Sequence, residues 1–176
     1  VGFYSSFVIA VSTIGLISVC TRLGLEYKIF YEDIRIRTNS FTSILILCFI
    51  ISLLLLPFLF FFQEKFIFKG YVIETITLSI LFSIVIFIGW AIRAENKNIT
   101  FLIVTSIIPI LIGVTFILFC VIFSVTFDYG SWVYLHLICY FVFCFFLIYK
   151  NKINITQVLK TKKYLKFNYQ NIYIAT

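Results

Sequence analysis

The sequence predicts an all-α fold, a polytopic transmembrane helical bundle. Of its 176 residues, 62% are hydrophobic and only 12% charged, with a mean hydropathy of +1.13, whereas an ordinary soluble domain carries about 25% charged residues. The apolar residues fall in five runs of roughly twenty, the length a helix needs to cross a hydrocarbon core of about 30 Å. The charges lie almost wholly between these runs. With no water inside a bilayer, a spanning segment must satisfy its own backbone groups, and a helix does so.

The first run, residues 3–25, sets the plan that the others repeat. Its small residues, among them Ser5, Ala10, Ser12, Gly15 and Ser18, let helices approach closely in a membrane. Arg22 and Glu26 stand four apart, so a helix places them on one face just beyond the hydrocarbon. A connection carrying both signs, 28–39, leads to the second run, 41–62, which is apolar apart from Thr42, Ser43 and Ser52 and holds Pro57 as a bending point near its far end. The third run, 71–92, carries Glu74 one turn inside. It closes in Gly89-Trp90-Ala91-Ile92-Arg93, an aromatic and a cation where headgroups are expected.

The brief turn 94–98 makes the third and fourth runs antiparallel neighbours. Pro109 and Gly113 near the middle of the fourth run, 99–123, allow a kink or hinge. The fifth, 131–149, contains His136. From Lys150 onward the chain is basic, and Ile155, Val158, Leu159, Tyr164 and Leu165 form an imperfect apolar face. Such a helix would lie on a membrane surface with its lysines toward anionic lipid.

Of the 14 Lys and Arg, twelve fall in the connections after runs one and three and in the tail, and only Lys65 and Lys69 fall in the others. The excess of cations on one side puts that side in the cytoplasm, with residue 1 outside and residues 150–176 inside. The net charge of +7 therefore reads as membrane topology, with no nucleic acid as partner. Residue 1 is Val and the sequence has no Met, so the sequence is expected to be part of a longer chain with an odd number of preceding spans. One is the simplest case. The first run has neither a basic lead-in nor a small-residue cleavage site, which disfavours a signal peptide.

No Gly-rich phosphate loop, nucleophile elbow or paired catalytic carboxylates occur. Cys20, Cys48, Cys120, Cys139 and Cys144 fall in or at the ends of runs, and the five-residue spacing of the last two does not put them on one helical face as metal ligands. No cofactor, metal or enzymatic activity is expected, and the cysteines read as small packing residues. Asn98-Ile99-Thr100 and Asn154-Ile155-Thr156 match the glycosylation pattern but fall on the cytoplasmic side. Glu74, the most deeply embedded acid, is a candidate proton or sodium site. His136 lies at similar depth on the same side and is a candidate partner for it. The plainer reading of both is a packed, hydrogen-bonded helix residue.

Three stretches together resemble one family. Gly2-Phe3-Tyr4 opening a small-residue span that closes in Arg22-Leu23-Gly24-Leu25-Glu26-Tyr27, with Glu32-Asp33 after it, resembles the second span of bacterial Wzx-type polysaccharide flippases of the MATE-like superfamily. Gly89-Trp90-Ala91-Ile92-Arg93 resembles the exit of that family's fourth span. Lys162-Lys163-Tyr164-Leu165-Lys166-Phe167 resembles the segment before its seventh. The order, spacing and sidedness of all three agree.

The resemblance implies spans two to six of the first six-helix lobe of a two-lobe transporter in the bacterial inner membrane. It implies alternating access that moves an undecaprenyl-diphosphate-linked oligosaccharide for O-antigen or capsule, with membrane lipids and polysaccharide assembly proteins as further partners. Arg22 and Arg93 would then attract the diphosphate through their planar donor forks, although both also suit simple anchoring of helix ends. The alternatives are a polymerase or acyltransferase of the same pathway, or another flippase of the superfamily. The enzyme is disfavoured because the outer connections, 63–70 and 124–130, are short and without Arg or His.

Overall fold

A computed structural model describes residues 3–22, 39–124 and 126–150. The connection bearing Glu26 and Glu32-Asp33, and the basic segment 151–176, lie outside the described residues. Among those described there are five helices and no strand: α1 (Phe3–Arg22), α2 (Asn39–Phe62), α3 (Val72–Ala94), α4 (Asn98–Ile122) and α5 (Tyr129–Lys150). Four stretches, Cys48–Lys65, Val72–Arg93, Asn98–Ile122 and Tyr129–Lys150, are long and apolar enough to cross a membrane. The apolar stretch described in α1, Ser5–Cys20, is shorter. The chain is a multi-pass helical membrane protein in which large apolar side chains such as Leu16, Leu54, Phe61, Ile110 and Phe145 face outward, an arrangement stable against lipid and not against water.

α3, not the opening helix, stands at the centre. It packs against α1, α2, α5 and the first half of α4, and Val85, Phe87, Ile88 and Ala91 on it are fully buried. A polar ladder at four-residue spacing runs up the same helix. Thr75, Ser79 and Ser83 are wholly buried, and each hydroxyl donates to the carbonyl one turn back, at Tyr71, Thr75 and Ser79, over 2.6, 2.9 and 2.7 Å. These bonds satisfy the hydroxyls without a partner helix. Ser83 also meets Ser18 of α1 at 3.2 Å, where two small side chains let the backbones come close.

The connections are tight. After α2 a single 3-10 turn, Gln63–Lys65, leads to Phe66 stacked on Phe68 at 5.0 Å and a Lys69–Glu64 ion pair of 2.5 Å. Gly70, with φ of +79°, turns the chain into α3 through a conformation that costs glycine little. Between α3 and α4 the turn closes through Asn96 N–H donating to the Arg93 carbonyl at 2.8 Å, so the two helices form an antiparallel hairpin.

α4 is not a uniform helix. Pro109 has no N–H to donate to the Thr105 carbonyl, and its ring crowds that carbonyl. The helix widens into a π turn, Ile103–Ile107, between α-helical Asn98–Leu102 and Ile108–Ile122. Pro57 sits within a continuous α2.

Candidate functional site

α1, α3, α4 and α5 surround a cavity of about 370 Å³, lined by Phe7, Phe82, Pro109, Gly113 and, from α5, by Trp132, His136 and Tyr140. The three α5 residues are four apart and so share one face. Val11 of α1 and Ile110 and Val114 of α4 also line the cavity, yet each is exposed on the outer surface of the bundle. The cavity therefore opens sideways, between α1 and α4, toward the space that lipid occupies. Near that opening Gly113 lies close to Phe7, whose Cζ is 3.5 Å from the point where a Cβ would stand.

His136 stands in this wall and is only 6% exposed. Its Nδ1 lies 2.8 Å from the Trp132 carbonyl. A carbonyl can only accept, so Nδ1 carries the proton and Nε2 is left as an acceptor. The ring packs 4.4 Å from that of Trp132 and 6.1 Å from that of Phe116. Trp132 Nε1 is buried without a hydrogen-bond partner.

The sequence-predicted candidates divide between separate places. Pro109, Gly113 and His136 meet at the cavity. Glu74 does not join them: in the first turn of α3 it accepts a 3.1 Å hydrogen bond from the Tyr134 hydroxyl. Residues 134 and 136 are two apart, about 200° around a helix, so the α5 face that offers Tyr134 to Glu74 turns His136 away from it. Glu74 is therefore paired with Tyr134, and His136, its candidate partner, is bonded instead to the Trp132 carbonyl. Around Glu74, Tyr71 packs against Tyr129 and Tyr134 with ring centroids 6.0 and 6.2 Å apart, and Tyr129 shares a 2.8 Å hydrogen bond with Thr75. Asp128, just outside α5, accepts from the Ser131 N–H at 2.8 Å and the Ser131 hydroxyl at 2.9 Å, which makes it the cap of that helix.

Arg93 stands at the opposite end of α3, its guanidinium 4.9 Å from the Trp90 ring and 5.1 Å from that of Phe101. Gly89, on the same stretch, allows α4 to approach: an added Cβ would collide with the Thr105 methyl and lie 3.6 Å from Phe101. The Gly-Trp-x-x-Arg stretch thus builds the closed end of the α3–α4 hairpin. Arg22 ends α1, and its side chain lies outside the described residues. Arg93 does not line the cavity.

No family model, curated protein or solved structure matches the chain. The geometry itself offers a lipid-open apolar space beside the widened turn of α4, with one imidazole on its wall. Such a space can accept an apolar chain from the bilayer and hold one polar atom. Trp132 and Tyr140 escaped the sequence reading because aromatics are abundant here, although their four-residue spacing about His136 was visible.

Proposed function

We propose that the chain forms part of a transporter that carries a lipid-linked molecule across the membrane. The observation that carries this is the cavity open toward lipid between α1 and α4, lined by Pro109 and Gly113 next to the π turn. A π turn beside a proline weakens the regular ladder of a helix at one level, so the outer half of α4 can tilt against α1 without unwinding. A tilt there would open or close the cavity to the bilayer, the local motion that alternating access requires.

The resemblance to Wzx-type flippases supplies the cargo, an undecaprenyl-diphosphate-linked oligosaccharide for O-antigen or capsule. In that reading the chain is part of the first of two lobes in the bacterial inner membrane. Arg93, held against Trp90 and Phe101, and Arg22 then meet the diphosphate at the cytoplasmic surface, and Glu74 is the candidate for ion coupling. The apolar cavity suits the lipid part of such a cargo. Its sugar needs a wet path elsewhere.

Deleting the encoding gene in its host tests this. A flippase mutant accumulates lipid-linked repeat units on the cytoplasmic leaflet, whereas loss of a polymerase exports single units to the surface. Unchanged surface polysaccharide and unchanged leaflet distribution would overturn the reading.

A further inference from the structure

On the α5 wall of the cavity, Trp132 and His136 each leave a ring nitrogen, Nε1 and Nε2, without a partner among the described residues, and the two nitrogens differ in access. Trp132 Nε1 is sealed within the packing. His136 is 94% buried by its 6% exposure. Its Nδ1 is engaged by the Trp132 carbonyl, while its Nε2 has no partner among the described residues and is not sealed in the same way. His136 stands seven residues into α5, about 10 Å below the start of the helix, at a depth where headgroups do not reach. An acceptor left bare there is costly.

We propose that the cavity is a binding site for a neutral, lipid-soluble molecule with an apolar body and one hydroxyl, the hydroxyl donating to His136 Nε2. The donor must come from the ligand, because the proton of the ring is already committed at Nδ1. The body must be apolar, because the walls include Phe7, Phe82, Ile110 and Val114. At about 370 Å³ the space lies at the small end of ligand pockets, roughly 300–1,000 Å³. The route is lateral, between α1 and α4. None of this depends on the cargo proposed above.

The test uses the full chain in lipid nanodiscs, with Trp90→Phe so that Trp132 is the sole tryptophan reporter. The probes are 4-hexylphenol and its methyl ether, which share a body and differ in the donor. The phenol is expected to change Trp132 fluorescence saturably and to bind about five- to tenfold more tightly than the ether, the value of one net hydrogen bond. His136→Phe should bring the two to equal affinity. Gly113→Leu should weaken both by filling the space, and Pro57→Ala, at an exposed position on α2 away from the cavity, should leave both in place as the control. Equal affinities for phenol and ether in the parent chain, discrimination that survives His136→Phe, or a signal that rises without saturation would each overturn the proposal.

Discussion

Gly89 and Gly15 look alike in the sequence, each a glycine in an apolar helix, but the structure separates them. A Cβ at Gly89 would run into Thr105 of α4, whereas one at Gly15 meets nothing within 4 Å. Gly89→Ala is therefore expected to cost about 1–3 kcal/mol, the usual penalty of overpacking, and Gly15→Ala to stay within about 0.5 kcal/mol. Denaturant unfolding in detergent micelles compares the two. Asp128 supports a pH prediction. The backbone N–H of Ser131 holds its carboxyl below the ordinary value of 3.8, partial burial opposes that, and the Ser131 hydroxyl and Gly130 N–H add to it. A folded value below the unfolded one means that the cap's contribution is complete above pH 3.8 and disappears as the pH falls through the lower folded value. Asp128→Ala should cost about 0.5–2 kcal/mol at neutral pH. Asp128→Asn, which keeps an acceptor, should cost less and flatten the acid limb of the stability profile. The depth of Glu74 and His136 was legible in the sequence because depth follows from counting residues along a span. Their separation was not, because it depends on the rotation of α5, fixed by its packing on α3 and α4.

At the scale of the element, hydropathy locates the helices well. The residues 41–62, 71–92, 99–123 and 131–149 expected to be helical correspond to α2 through α5 with ends displaced by one or two residues, the ordinary uncertainty of helix termini. For the first run, residues 23–25 lie outside the described residues and α1 ends at Arg22. Hydropathy does not reveal the π turn. Pro109 announces a disturbance, but whether a helix kinks, breaks or widens depends on what surrounds the freed carbonyl. Here Thr105 bonds Phe101 at 2.8 Å and packs beside Gly89, so the room on α3 decides the outcome as much as the proline does. Pro109→Ala restores the missing donor and should stabilise α4 by about 1 kcal/mol, part of the roughly 3 kcal/mol that proline costs in a helix interior. If the widened turn serves transport, the same substitution slows appearance of surface polysaccharide. Pro57→Ala is the comparison: Pro57 lies on α2, exposed and away from the cavity, so it should leave transport unchanged. Equal effects of the two on transport would remove the hinge from the mechanism.

For the whole molecule, the opening span looks like the organiser because its small residues are conspicuous, yet α3 holds the bundle together. Its signal was present as Thr75, Ser79 and Ser83 at four-residue spacing, a polar stripe that only a helix buried on that side can carry in lipid. It is faint beside hydropathy because hydroxyls bonded to their own helix barely alter the mean. The structure also fixes which charges share an end. Arg93, Lys97 and Lys150 lie with the end of α1 at Arg22, opposed by Glu95, which pairs with Lys97 at 2.7 Å. Lys65 and Lys69 lie at the other end with Glu64, Glu74 and Asp128. One end is thus cationic and the other slightly acidic, and the bias of Lys and Arg toward the cytoplasm predicts that the first end is inside. Lys69→Cys and Lys97→Cys, each made in a chain with Cys20→Ala, test this. Both lysines are well exposed, so losing either ion pair should cost at most about 1 kcal/mol. The remaining cysteines lie within the apolar helices α2, α4 and α5, with Cys48, Cys120 and Cys144 buried, away from a reagent confined to water. A membrane-impermeant maleimide should label Lys69→Cys in intact cells and Lys97→Cys only after permeabilisation. Labelling of both from the same side would mean that α3 does not cross the membrane. The opposite pattern would keep the bundle but invert it, placing Glu74, Tyr134 and the nearer mouth of the cavity toward the cytoplasm and removing the reason to assign Arg22 and Arg93 to a cytoplasmic diphosphate.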